Sequence, residues 1–299
     1  MKRAESGIAA ITAILVVAVA ASAAAMMLSQ QSAMLDQTML VASRAQAEQY
    51  ASAGLDWARG VLAQDGRASQ SDSLDEGWAK PIVGLPVERA VVAGAIADEQ
   101  GKFNLNNLVD RGRRSEADIQ LFRHLLTALA LSPDLAEPVV EWMLPSGSDA
   151  YYLSLPRPYR SARGPISQVD ELYRIRGFDA AVVARLRPHV TALPDRTPIN
   201  GNTASERVLA AALPSAGDKI AALVAERTRK PFDTKQAFAE RLGKDNLMAV
   251  NDFDVKSTWF SVLVRVQQDD VLLGAEALVR REDISKGGAT TVVWRRPLY

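Results

Sequence analysis

From Ile8 to Leu28 the chain carries no charged residue, and this run opens abruptly behind the short polar stretch MKRAESG. As a helix rising about 1.5 Å per residue it would span roughly 30 Å, the thickness of a bilayer's hydrocarbon core. Residues 29–64 continue without a proline, and Met34, Leu35, Met39, Tyr50, Leu55, Val61 and Leu62 are spread among Ser, Gln, Ala, Asp and Arg. Ala, Gln, Met and Leu favour helix, so the pattern predicts one helix of about 55 residues that is apolar at first and amphipathic afterwards.

The pattern then changes period. Residues 86–108 (PVERAVVAGAIADEQGKFNLNNL) alternate and are rich in Val, Ile and Phe, as strands are. Residues 258–282 read as two strands around a turn at Gln268, Asp269 and Asp270, and TTVVWRRP (290–297) as a third. The intervening region is helical in period. Ser115 is a candidate N-cap for EADIQLFRHLLTALAL, which Pro133 stops, and DLAEPVVEWML ends at Pro145. Residues 151–165, with three prolines, read as a loop pinned by its tyrosines. Helices are expected again in ISQVDELYRIRG, FDAAVVARLRPHV, TASERVLAAAL, GDKIAALVAERT and PFDTKQAFAERLG, the last stopped by Gly243. This order predicts an α+β protein: a long N-terminal transmembrane helix packed on an antiparallel sheet, with a large all-α domain inserted into the sheet region.

At 299 residues and 48% hydrophobic composition the chain has material for two domains. It has no cysteine, which excludes disulfides, thiol catalysis and Cys-ligated zinc. His124 and His189 lie far apart with no metal-ligand pairing, and no GxSxG, GxGxxG or P-loop occurs, so the sequence does not read as an enzyme. The 35 basic and 35 acidic residues give no net attraction for a polyanion.

Two readings of the N-terminus compete. Lys2 and Arg3 with a small-residue site at Ala23–Ala25 fit a secretory signal peptide. Cleavage there would cut the long helix in its middle, whereas cleavage at Gly7, ahead of it, would leave it whole. The segment G|IAAITAILVVAVA resembles the class III leader of type IV pilins and type II secretion pseudopilins. The resemblance implies cleavage between Gly7 and Ile8 by a prepilin peptidase and N-methylation of Ile8. Most members carry glutamate at mature position five, where this chain has Thr12. A carboxylate there would pair the buried α-amino cation of a neighbouring subunit. Its absence suits a terminal place in a filament rather than the repeating shaft.

Further strings, DEQGKFNLNNL, EWM, SDAYY, PYRSA, DELYRIRGF, LRPHVTALP, INGNTA and FDTKQAF, are similar in order and spacing to the K-type minor pseudopilins of type II secretion. That resemblance implies a leader at 1–7, a transmembrane segment at 8–28 and the periplasmic part of the helix at 29–64. A pilin-like β domain would be formed by 65–108 with 255–299, and the inserted α-helical domain by 109–254. It implies a non-enzymatic subunit at the pseudopilus tip, single-pass in the bacterial inner membrane, its N-terminus cytoplasmic and its bulk periplasmic. The implied partners are minor pseudopilins I, J and H, the major pseudopilin G, the prepilin peptidase and the inner-membrane assembly platform. Members of the family are associated with calcium in the added domain, where a tryptophan stands in an acid-rich pattern. Here the acidic run is largely gone, and Glu141 and Asp149 are the candidate ligands. The clusters Asp72, Asp75, Glu76 and Asp252, Asp254 read as solvated loop charge. A second likeness runs through residues 197–238, which resemble the helix-hairpin-helix of competence DNA receptors. The hairpin Leu213–Gly217 keeps one glycine where the DNA-binding pattern has two, so a packing role is preferred to a membrane-anchored DNA receptor or a type IV pilus or competence subunit.

Overall fold

The computed structural model describes residues 2–242, 252–282 and 288–298. Helix α1 runs unbroken over Lys2–Ala68, 67 residues. It therefore begins before Gly7, and the Gly7–Ile8 bond lies inside the helix instead of ahead of it. Lys, Arg, Ala and Glu before Gly7 all tolerate helix, and one interior glycine costs only about 1 kcal/mol. The C-terminal part of α1 is drawn onto the sheet by small side chains. Ala47, Ala51, Leu55, Ala58 and Leu62 are buried at helical spacing. At Gly54 an added Cβ would stand 3.0 Å from Val264, so the glycine sets how closely helix and sheet approach.

The sheet has five antiparallel strands in sequence order: β1 (Ile82–Val87), β2 (Ala90–Asp98), β3 (Trp259–Gln268), β4 (Val271–Arg281) and β5 (Thr290–Leu298). β3, β4 and β5 fall where the alternating pattern put them. β1 starts earlier than expected, at Ile82, because Pro81, Gly84 and Pro86 obscure its period. The face under α1 carries Ile96, Phe260, Val262, Val264, Val266, Ala275, Ala277 and Val279. On the opposite face Trp259, Leu278 and Trp294 receive Leu193 of the insertion.

The insertion leaves the sheet after Asp98 and returns at Trp259. Asp98 pairs with Phe260, so exit and entry are adjacent. Its helices are α2 (Glu116–Ala128), α3 (Ala136–Met143), α4 (Ala150–Leu153), α5 (Ala180–Leu186), α6 (Glu206–Ala212), α7 (Lys219–Arg229) and α8 (Lys235–Leu242). They enclose a core that contains Phe122, Leu125, Trp142, Leu172, Leu209 and Phe238. Phe103, Leu105 and Leu108, which the pattern grouped with the sheet, pack in this helical core, and residues 105–108 form a 3-10 turn. The helix expected in ISQVDELYRIRG is a 3-10 helix over Val169–Arg174. It is confined by extended residues at Gln168 and Ile175. Tyr152 and Tyr159 do pin the 151–165 loop: Tyr152 is buried, and the Tyr159 hydroxyl donates to the Arg174 carbonyl at 2.8 Å. Gly243 lies outside the described residues.

Candidate assembly surface and domain junction

Two regions carry the chemistry of this molecule, and the first is the surface of α1. Every residue from Ala10 to Ala42 is exposed, including Ile14, Leu15, Val16, Met26, Met27, Leu35 and Met39. An 18-residue window in this helix has mean hydropathy 2.5 and is 0% buried, so length and composition suffice to cross a membrane. Thr12 lies on this exposed surface. Where α1 reaches the sheet it sits over β3 and β4. The β1–β2 hairpin is left partly open, and a cavity of about 290 Å³ opens between it and the helix.

The second region is the junction between sheet and insertion. The Asp98 carboxylate is buried and accepts from the Gln100 backbone (2.8 Å), Asn200 Nδ2 (2.9 Å), Thr203 Oγ1 (2.5 Å) and Ser257 Oγ (2.7 Å). Glu99 beside it accepts from Thr191 and Ser261, both at 2.7 Å, and pairs with Lys102 at 2.8 Å. Glu99 thus joins Ser261 of the sheet to Thr191 of the insertion, while Asp98, the last residue of β2, gathers Asn200 and Thr203 of the insertion and Ser257 just ahead of β3.

Asparagines tie the insertion's irregular segments together, beside short two-residue strand pairs at Phe103–Asn104 with Val190–Thr191 and Ile199–Asn200 with Phe253–Asp254. Asn106 donates to the carbonyls of Ile166 and Leu193 and accepts from the Ile166 N–H. Asn107 makes the same two-way contact with the backbone of Thr197, and Asn202 with that of Phe232. Asn104 accepts from Leu193 and donates to Asp195. An amide side chain offers one donor face and one acceptor, which lets it replace a backbone partner. These roles explain the NLNN and INGN strings; the sequence displayed the strings but not their partners, which lie tens of residues away.

Asp72 is also misread from sequence alone. It is completely buried and both its oxygens accept from Arg281 Nη2, at 2.6 and 2.5 Å. Asp65 meets Arg281 Nη1 at 2.9 Å. Glu76 accepts from Ser73 N–H and Trp78 Nε1. Among the described residues, Asp65, Asp72 and Glu76 are the carboxylates close enough to share an ion, and the Arg281 guanidinium supplies the positive charge there. Asp252 pairs with Arg196 at 3.5 Å.

Burial pushes the carboxyl of Asp98 up to about 6, with Asp72 adding repulsion against the hydrogen bonds that lower it. Burial, Glu76 and Asp72 likewise push Asp65 up to about 6 against the pull of Arg281. Both bind a proton more tightly folded than unfolded, so folding takes up protons between about pH 4 and pH 6 and acidification through that window stabilises the fold. For Asp98 the gain is at most about 1.4 kcal/mol per pH unit. Glu137, held low by its hydrogen bonds from Arg114, works the other way at lower pH, and His189, pushed down by burial, opposes part of the gain within the window itself. The denaturation midpoint of the detergent-solubilised chain is therefore expected to rise from pH 7 to pH 5, and Asp98→Asn to flatten that rise; a midpoint that falls over the same interval contradicts the assignment.

The histidines are structural. His124, on exposed α2 surface, faces the Ala211 carbonyl at 3.3 Å. His189 lies just beyond α5 and contacts Ser205 Oγ at 3.0 Å, a hydroxyl that N-caps α6. In the α6–α7 hairpin Gly217 has φ +47°, which explains the glycine. Asp218 at the N-cap of α7 adds negative charge beside the helix N-terminus, which disfavours a phosphate there.

Two family models, both described as type II secretion system protein K, match residues 101–195 and 199–262. The type II secretion system protein K of Pseudomonas aeruginosa is 30% identical over 290 residues, covering 90% of this chain and 87% of that protein. This chain belongs to the type II secretion system protein K family. The protein K of Pectobacterium carotovorum is 29% identical, with 90% of each chain covered. A chain in the crystal structure of the GspK-GspI-GspJ complex from enterotoxigenic Escherichia coli shares the fold, with a TM-score of 0.76 at 22% identity over 88% of this chain and 99% of that one.

Within the protein K framework, the calcium expectation can be tested on the residues themselves. Asp149 is buried and its carboxylate accepts from the Ser161 N–H (2.8 Å) and hydroxyl (2.6 Å) and from Arg163 Nη2 (2.6 Å). The Ser161 hydrogen bonds, with Arg163, hold it below the usual carboxylate range. Calcium needs six to eight oxygen ligands. A carboxylate filled by donors and faced by a guanidinium does not offer them, and Glu141 stands on α3 without joining this network. Glu141 and Asp149 therefore do not fit a calcium cage; Asp149 fastens the loop instead. Chelator or millimolar calcium is expected to leave the melting temperature unmoved. Asp149→Ala, which strands the buried Ser161 donors, is expected to lower it by about 2–6 °C.

Proposed function

We propose that this chain is a non-catalytic tip subunit of the type II secretion pseudopilus, which assembles with minor pseudopilins I and J to initiate or cap the filament. The observation that carries the reading is α1: from Ala10 to Ala42 nothing among the described residues covers it, although much of it is large and apolar. The apolar run crosses the inner membrane with the N-terminus cytoplasmic, and the segment beyond it meets partner helices in the periplasm. Ala9, Ala10, Ala13, Ala18, Ala20, Ala21, Ala23 and Ala24 permit close helix approach where lipid gives no hydrophobic drive. Prepilin peptidase cleaves after Gly7 and Ile8 becomes the methylated N-terminus. Thr12 then stands where a shaft subunit needs a carboxylate, which suits a terminal position. The two-domain division supports the role: a pilin-like body carries the helix, and the inserted body projects above it.

N-terminal sequencing with intact mass tests this reading. The membrane-purified chain is expected to begin at methylated Ile8 and to co-purify with I and J. A mature terminus near Ala25, or an intact Met1, overturns it.

A further inference from the structure

The proline-rich loop of the insertion carries a local charge imbalance in a chain whose net charge is zero. Residues 151–176 hold five arginines and two acids, with no lysine. Both acids already have partners: Asp170 pairs with Arg187, and Glu171 accepts from Trp142 Nε1 at 3.0 Å and from Ser167. Arg163 is held by Asp149. Arg157, Arg160, Arg174 and Arg176 are exposed, and among the described residues their guanidinium groups have neither an ion pair nor a hydrogen bond. Glu141 of α3, half-buried, adds one negative charge near Tyr152 against these four.

Aromatic rings gather the arginines into one patch. Arg174 lies over Trp142 and Tyr159, 5.5 and 5.4 Å from their centres, and Arg176 over Tyr151 at 5.3 Å. Tyr151 meets Tyr152, and Tyr152 meets Tyr159, at centroid distances of 5.3 and 5.4 Å. Arg157 and Arg160 stand on either side of Tyr159 in the same loop. A guanidinium that stacks by its face keeps its in-plane N–H donors free, so the rings hold the cations together without neutralising them. Pro156 and Pro158 fix the backbone around Arg157, and the Tyr159 hydroxyl ties the loop to the Arg174 carbonyl. The patch is therefore ordered before a ligand arrives, which lowers the entropy cost of binding.

Two features identify the ligand. Forked, fixed N–H donors match carboxylates, which accept two parallel bonds from one guanidinium. Leu153 and Tyr151, 49% and 42% exposed, add apolar surface beside the cations. A phosphate polyanion has no use for that surface, whereas protein contacts concentrate on arginine and tyrosine. We infer that this face of the insertion is a docking site for an acidic segment of another protein, one with carboxylates set among apolar side chains. The inference goes beyond the tip-subunit reading and does not depend on it.

A random copolymer of glutamate and tyrosine is the probe. The detergent-solubilised full-length chain is expected to bind it at low ionic strength and to release it as salt rises. Arg157→Glu with Arg160→Glu is expected to weaken binding by about tenfold or more at an unchanged melting temperature, because both side chains are exposed. Arg229→Glu with Lys230→Glu, exposed at the end of α7, is expected to bind like the unsubstituted chain. Polyglutamate without tyrosine, and polyphosphate, are expected to bind more weakly than the copolymer. Absence of copolymer binding, undiminished binding after the Arg157 and Arg160 reversal, or an equal loss in the α7 variant overturns the site. Equal or tighter binding of polyphosphate or of polyglutamate overturns the assignment to an acidic protein segment. Self-association of the chain that the same reversal abolishes makes the occupant a second copy and also overturns it.

Discussion

Replacing Arg281 with methionine is expected to cost about 3–5 kcal/mol of folding stability. The guanidinium is 2% exposed and lies over the Phe260 ring at 4.7 Å. It binds Asp72 through both carboxylate oxygens, Asp65 at 2.9 Å and the Ser257 carbonyl at 2.8 Å. The pair is one structural joint. Asp65 lies in the last turn of α1, Asp72 belongs to the segment that follows, Arg281 closes β4, and Ser257 leads into β3. Methionine fills much of the same volume but leaves Asp72 as a fully buried carboxylate without a counter-charge, and that stranded charge is the source of the cost. The double variant Asp72→Asn, Arg281→Met removes the charge together with its partner and is expected to recover a large part of the loss, a coupling that a denaturation cycle measures. Gly66 belongs to the same joint: a Cβ there would stand 2.8 Å from Arg281 Cδ. A loss below about 1 kcal/mol for Arg281→Met would mean that the pair behaves as an exposed surface bridge.

Trp142→Ala is expected to cost a similar amount, about 3–5 kcal/mol, through the cavity it opens. Trp142 is fully buried. Tyr152 meets its ring edge-on at a centroid distance of 5.1 Å, Tyr159 stands at 6.2 Å, and the Arg174 guanidinium lies 5.5 Å from its centre. Its Nε1 donates to Glu171 at 3.0 Å, and its carbonyl accepts from Arg163 at 3.0 Å. The ring therefore joins α3, the proline-rich loop and the 3-10 helix over Val169–Arg174. Trp142→Phe keeps most of the packing and strands only the Glu171 acceptor, so a smaller loss, about 1–2 kcal/mol, is expected from the same denaturation curves. Equal losses for Ala and Phe would assign the whole effect to the indole hydrogen bond.

The parts of this fold that the sequence announces are those set by local period. Residues 29–64 repeat at helical spacing, and 258–297 alternate around the Gln268–Asp270 turn; α1 and β3 to β5 fall there. Local signals fail where proline and glycine mask a strand, as in β1. They fail again where six residues between extended neighbours take the tighter 3-10 form, as at Val169–Arg174. Long-range partnership left no trace in the pattern. Asp72 and Arg281 lie 209 residues apart, and in a charged loop Asp72 looks like any solvated acid. The asparagines of NLNN and INGN were visible as strings, but each acts on backbone brought near only by folding. The uncovered surface of α1 was legible from its excess of apolar residues over available chain; the cavity beside the β1–β2 hairpin was not, because it exists only once β1 and β2 turn toward the helix.

Because Asp98 pairs with Phe260, the inserted body hangs from the sheet by the ends of two neighbouring strands. A load that pulls this body away from the sheet falls first on the paired ends of β2 and β3. The first rung at that end is the one flanked by Asp98 and Glu99, whose carboxylates bind residues on both bodies. The junction thus acts as a rivet at the start of a tear line. Under load, these two acids decide whether the strain stops at the joint or runs into the sheet.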